Sequence, residues 1–155
     1  MKSRGIKRHK ALHPLSHHHH HGLVMAHRLM KAGTEESKFT GEELKQKLHD
    51  FWHSAGNEHF REEEELLLPV YAKYALLDQP EIIENLLEHV RIRSLVRQVL
   101  EQLSVAETLM HELGTLLEGH IRKEERVIFP MIEKALPEQE LHKLGSEFTD
   151  LTPRK

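Results

Sequence analysis

The chain has 155 residues, 15 of them histidine and none cysteine, and its 22 basic and 25 acidic residues give a formal net charge of -3. That length supports one domain with one core, and the lack of cysteine excludes both a disulfide framework and thiolate metal chemistry, so any metal must sit on nitrogen and oxygen. Mixed, near-balanced charge leaves no electrostatic footprint for nucleic acid, and no window approaches the roughly 20 apolar residues of a membrane span.

Residues 1–12 read as a flexible basic tail built on Lys2-Ser3-Arg4-Gly5-Ile6-Lys7-Arg8-His9-Lys10. The tail is not a signal peptide, because His13-Pro14 and a histidine run stand where an apolar stretch should follow. The expectation is a soluble cytoplasmic protein. Five consecutive histidines, His17 to His21, lead straight into Leu23, Val24, Ala26, Leu29 and Met30. That apolar stripe makes the run part of a first helix over about residues 16–32 rather than a purification tag, with Ser16 as N-cap and Gly33 as stop.

Thr40 and Glu43 form a capping box opening a second helix through Leu44, Leu48, Phe51, Trp52, His59 and Glu63. Pro69 should kink it before it ends near Leu77. Pro80 suits the first turn of a third helix, reaching about Leu103 with Ile83, Leu86, Leu87, Val90, Leu95, Val96 and Val99 as its apolar positions. Ser104 with Glu107 is a second capping box, for a fourth helix through Leu109, Leu113, Leu116, Leu117, His120, Glu124, Ile128 and Met131 to about Leu136. Pro137 ends that helix, and a short one with Leu141, Leu144 and Phe148 folds over one end. The fold class is all-α: an up-down-up-down four-helix bundle over residues 13–148 with a short extra C-terminal helix, and a flexible terminus over 149–155.

One repeat dominates the chain. His59-Phe60-Arg61-Glu62-Glu63-Glu64-Glu65-Leu66-Leu67-Leu68-Pro69 recurs as His120-Ile121-Arg122-Lys123-Glu124-Glu125-Arg126-Val127-Ile128-Phe129-Pro130. In both copies a Glu follows a His by four residues, which stacks imidazole and carboxylate on one helical face and makes a metal half-site. The two copies lie on the second and fourth helices, which run parallel in such a bundle and face each other across the core. A bundle metal centre draws inward ligands from every helix. His89 is the candidate on the third helix, and on the first the stripe through Leu23 and Ala26 favours His19, with His20 as close competitor.

These residues resemble the hemerythrin-like HHE cation-binding domains over about residues 12–136. The resemblance rests on the two His-x-x-x-Glu repeats ending in Pro, on the Leu15-Ser16 and double-His pattern of the first helix, and on Glu88-His89 in the third. It implies iron ligands at His19, His59, Glu63, His89, His120 and Glu124. Oxygen-carrying hemerythrins have a second histidine four residues after the third-helix ligand, and here that position is Arg93. The four-His, two-Glu set is closer to the iron-sensing and nitrosative-stress-repair branches of the family than to the oxygen carriers.

If Glu63 and Glu124 each bridge two iron ions, four histidines supply two ligands per iron, and an oxo or hydroxo bridge leaves each iron one open position. Mixed nitrogen and oxygen donors fit iron well, and ligand softness alone does not separate iron from manganese or zinc, which are the less favoured ions. The implied function is a non-haem di-iron protein that binds or senses oxygen, nitric oxide or iron. The alternative is an enzyme handling peroxide, nitric oxide or ferrous iron oxidation, for which the ligand stripes show no proton donor beyond the loose candidates Tyr71 and Tyr74. A zinc hydrolase is more distant, since catalytic zinc uses three protein ligands and a water. Monomer or homodimer are both compatible with the sequence. Glu62, Glu64 and Glu65 belong to an acidic run and read as a solvated face, although Glu62, Glu88 or Glu125 could accept imidazole N–H bonds. His49 and His53 read as surface residues, and Phe51 and Trp52 as core, with Trp52 placed to line one end of a metal pocket.

Overall fold

The computed structural model describes residues 7–148, and every regular element among them is helical. Helix α1 (His13–Met30) starts before the expected Ser16, with Pro14 in its first turn, where a missing N–H loses no intrahelical bond. The Ser16 hydroxyl does not cap the helix; it donates to Glu125 at 2.7 Å. Gly33, at φ 76°, supplies the left-handed residue that follows the helix. Ahead of α1, a 3-10 turn (Lys10–Leu12) buries Ala11 and Leu12. Within the expected tail, the Arg8 guanidinium pairs with Glu125 at 3.2 Å and Glu133 at 3.1 Å. Residues 1–6 and 149–155, which complete the expected tails, lie outside the described residues.

The second helical run is continuous but not uniform. It comprises α2 (Gly41–Phe51), a π turn (Trp52–Gly56), α3 (Asn57–Glu62), a second π turn (Glu63–Leu67) and α4 (Leu68–Tyr71). The Thr40–Glu43 capping box forms at its start, with both reciprocal bonds present. The run ends at Tyr71 rather than near Leu77, because the chain must reverse before Pro80, and the Tyr74 and Ala75 N–H groups close turns onto the Tyr71 carbonyl instead.

Helix α5 (Pro80–Glu101) follows, then α6 (Glu107–Lys123), a π turn (Glu124–Ile128), α7 (Phe129–Ala135) and the short α8 (Glu138–Gly145). The expected Ser104–Glu107 box is not made: Ala106 caps α6 without a side-chain bond. The Glu107 carboxylate instead fills the space that a Cβ on Gly33 would need. Each repeat thus carries a π turn that starts at its Glu, closed by Leu68 N–H to the Glu63 carbonyl and by Phe129 N–H to that of Glu124. Pro69 and Pro130 come directly after these donors. A proline ring clashes with the carbonyl four residues back in a regular helix, and the wider turn relieves that clash.

The buried apolar side chains fall into two clusters. One holds Met25, Leu29, Leu44, Leu48, Phe60, Ile92, Val96, Met110, Leu113 and Leu117; the other holds Leu12, Leu15, Leu67, Tyr71, Ile82, Phe129, Ile132, Leu141 and Leu144. Between them along each long helical run sit the buried polar residues His18, His19, His59, Glu62, Glu63, Asn85, Glu88, His89, His120 and Glu124. This polar layer explains a misplaced face on α5. Ile83, Leu87 and Val90, expected inward, are exposed. The inward stripe is Ile82, Asn85, His89, Ile92, Val96 and Val99, and its polar members at the level of the layer hide the true apolar period. Among the described residues, no helix is long and apolar enough to cross a membrane.

Candidate metal centre

Six side chains from the four long helical runs meet in the polar layer, and all six are at least 95 % buried: His19, His59, Glu63, His89, His120 and Glu124. They form two overlapping groups of potential metal ligands, His19, His59, Glu63 and Glu124 in one and Glu63, His89, His120 and Glu124 in the other. The two glutamates belong to both. Glu63 points Oε2 at His59 Nε2 (2.9 Å) and Oε1 at His89 Nε2 (3.0 Å). Glu124 points Oε1 at His19 Nε2 (2.8 Å) and Oε2 at His120 Nε2 (3.3 Å). Each carboxylate therefore offers one oxygen to each histidine pair. His20, the competitor of His19, is exposed on the other side of α1.

Both Glu63 oxygens, His89 Nε2 and His120 Nε2 have no hydrogen-bond partner among the described residues despite these short approaches. Orphaned buried polar atoms of this kind are strongly disfavoured unless something compensates them. A cation does. Two donors each about 2.1 Å from one ion and at right angles to it lie about 3 Å apart, which is the spacing seen here. The donor set, imidazole plus carboxylate, suits a transition-metal ion.

The outward nitrogens are also held. His19 Nδ1 donates to Glu125 at 2.6 Å, His89 Nδ1 to Glu64 at 2.6 Å and His120 Nδ1 to Glu88 at 2.8 Å. Each of these carboxylates is matched by a cation: Arg8 on Glu125, Arg93 on Glu64 at 3.3 Å and Lys123 on Glu88 at 2.7 Å. Such partners fix the ring orientation, turning Nε2 inward and raising ring basicity. His59 differs, for its Nδ1 faces His18 Nδ1 at 3.0 Å. Glu64, expected on the solvated face, is thus a working partner of His89, and Glu62 is buried; Glu65 alone of the three stays exposed. Arg93, at the position where oxygen carriers have a histidine, ties Glu64 and lies over the rings of Trp52 and Phe60.

The electrostatics follow from this packing. Burial opposes charge on His59 and His89, but Glu63, Glu64 and Glu124 outweigh it and push the rings up to about 10 and about 11. His120 is raised against burial by Glu124 and Glu88. Glu124 is held well below the usual carboxylate range, since His120, His19 and His59 overcome its desolvation. Glu64, Glu88 and Glu125 are likewise lowered despite burial by their histidine and cationic partners.

A cavity of about 20 Å³ adjoins the His19 and His59 side. Its wall includes His18, Phe51, Trp52, Gly56, Phe60 and Ile121. A single water needs about 10–15 Å³ by this kind of measure, so the space takes one very small molecule. Sequence reasoning missed several contributors, Lys123 on Glu88 among them. His18 could not be told from its neighbours within a run of five, Glu64 was hidden in a run of four acids, and Arg8 lay outside any periodic segment.

Fold and site together define a helical protein with a buried metal-cation site. The chain belongs to the hemerythrin HHE cation-binding domain family, whose model matches residues 9–132. Neither a curated protein nor a solved structure gives a significant match.

Proposed function

We propose that the six residues hold two iron ions, with His19 and His59 on one, His89 and His120 on the other, and Glu63 and Glu124 bridging both, in a protein that binds or senses a small diatomic ligand. The observation that carries this reading is the division of each glutamate's two oxygens between the two histidine pairs. When bound, two ferrous ions supply electrons that a diatomic ligand can accept reversibly. The chain's own residues do the rest. Glu125, Glu64 and Glu88 orient three imidazoles, Arg8, Arg93 and Lys123 balance those carboxylates, and Phe51, Trp52, Phe60 and Ile121 exclude bulk water from the cavity.

An up-down-up-down bundle is part of the same proposal. It is supported by the order in which the helices cross the two apolar clusters: α1 and α5 run from the Leu15–Ile82 cluster to the Leu29–Val96 cluster, and the two repeat-bearing runs cross in the opposite sense. The alternative of peroxide or nitric oxide turnover is favoured by one observation, the His18 imidazole in the cavity wall.

Anaerobic titration with ferrous iron, then admission of air, tests the reading. Saturation at two irons per chain with a reversible change in visible absorption is expected. Saturation at one iron, or none, refutes the two-metal centre, and sustained peroxide consumption by the loaded protein shifts the function to the alternative.

A further inference from the structure

The helical period splits the histidine run into two faces. His18 and His19 are buried, whereas His17, His20 and His21 are exposed on the opposite side of α1. We propose that His17, His20 and His21 form a second, peripheral site for a divalent transition-metal ion, separate from the buried cluster.

The rings of His17 and His21, one helical turn apart, have centres 5.1 Å from each other at an interplanar angle of 84°. Two imidazoles that hold one ion through nitrogens ~2.1 Å away, at angles between right and tetrahedral, have ring centres roughly 4.5–5.2 Å apart. The observed separation of ring centres falls within that span. The His20 ring centre lies 5.8 Å from that of His21, outside that span, so His20 must rotate about its exposed side chain to supply a third nitrogen, and water completes the shell. Among the described residues, the nitrogens of these three rings make no hydrogen bond or ion pair that would have to be broken first.

Four other exposed histidines are differently placed. His13, a turn before His17, faces the Arg8 carbonyl at 3.2 Å, and His27 faces Glu118 at 3.0 Å. His49 and His53 also stand one turn apart, but their ring centres are 4.3 Å apart, short of the chelating span, and His49 Nδ1 lies 3.4 Å from Asp50. An all-imidazole donor set selects zinc, copper, nickel or cobalt over magnesium or calcium, which prefer oxygen.

Equilibrium dialysis of the full chain against zinc, read by metal analysis, tests the site. The His17→Gln/His20→Gln/His21→Gln protein should bind one zinc per chain fewer than the wild type, with unchanged helical circular dichroism and melting temperature. The His49→Gln/His53→Gln protein should keep that ion. Because all five substitutions are exposed, the difference from wild type reads the peripheral site whatever the buried cluster binds. Equal zinc content in the triple variant, or loss of the ion in the His49/His53 variant instead, overturns the proposal.

Discussion

Removing the Glu88 side chain probes how much of the buried centre depends on groups that never touch the metal. Glu88 accepts from His120 Nδ1 at 2.8 Å and from Lys123 at 2.7 Å, and it is 7 % exposed. In the Glu88→Ala protein the His120 N–H loses its acceptor, while Lys123 retains Glu84 at 3.0 Å. The loss is therefore concentrated on His120. Outer partners of metal-bound histidines are worth about 10–100-fold in affinity, or about 1.4–2.8 kcal/mol, in the range of a hydrogen bond to a charged group. The assay is competition against a chelator of known strength, with Glu65→Ala as an exposed control. If the centre holds two ions as proposed, one should weaken by that factor and the other should change little, because His19 and His59 keep Glu125 and His18 as partners. Equal affinities in the Glu88→Ala and control proteins would refute the orienting role.

Glu63→Ala leaves His59 and His89 without the carboxylate they share and should lower metal content and stability together, by about 3–5 kcal/mol for a broken buried charge network; full two-metal occupancy in that variant sinks the bridging assignment. Metal loading should be proton-coupled. His59 and His89, raised to about 10 and about 11, hold protons at neutral pH that a cation must displace, so loading at pH 7 should release at least two protons per chain, measurable with an indicator dye, and affinity should climb with pH. The sign for folding runs the other way. With folded values above the unfolded 6.5, these rings stabilise the metal-free chain fully below pH 6.5, and that contribution is lost as pH rises through about 10 and 11, as denaturant titrations across pH would show. Gly56→Ala would set a Cβ 2.7 Å from the Trp52 ring, destabilising by about 1–3 kcal/mol through overpacking and altering ligand binding in the cavity; metal content should stay at the wild-type value.

What could be read from the sequence was whatever repeats at the helical period. The His-x-x-x-Glu pairs could be placed because four residues bring a side chain back to the same face, and Thr40 with Glu43 because a capping box is local. The errors have one cause, which is that tertiary partners decide the fate of ambiguous local signals. Ser104 and Glu107 have the box spacing, yet Glu107 packs against Gly33. Ser16 has a capping side chain, yet its hydroxyl donates to Glu125 instead. On α5 the inward face at the level of the centre is Asn85, Glu88 and His89, so hydrophobicity alone pointed to Leu87 and Val90, which face outward.

The π turns at Glu63 and Glu124 mean that each repeat carries one residue more than a regular helix would need between its glutamate and its proline. Since a residue advances an α-helix by about 100°, that surplus sets how the metal-facing stretch is phased against the apolar stretch after it. Leu67, Leu68 and Tyr71 reach the core in one copy and Ile128, Phe129 and Ile132 in the other. Deleting a single residue inside either turn would regularise the helix yet swing α4 or α7 off its cluster. Within these two five-residue windows the chain should tolerate substitutions far better than changes of length.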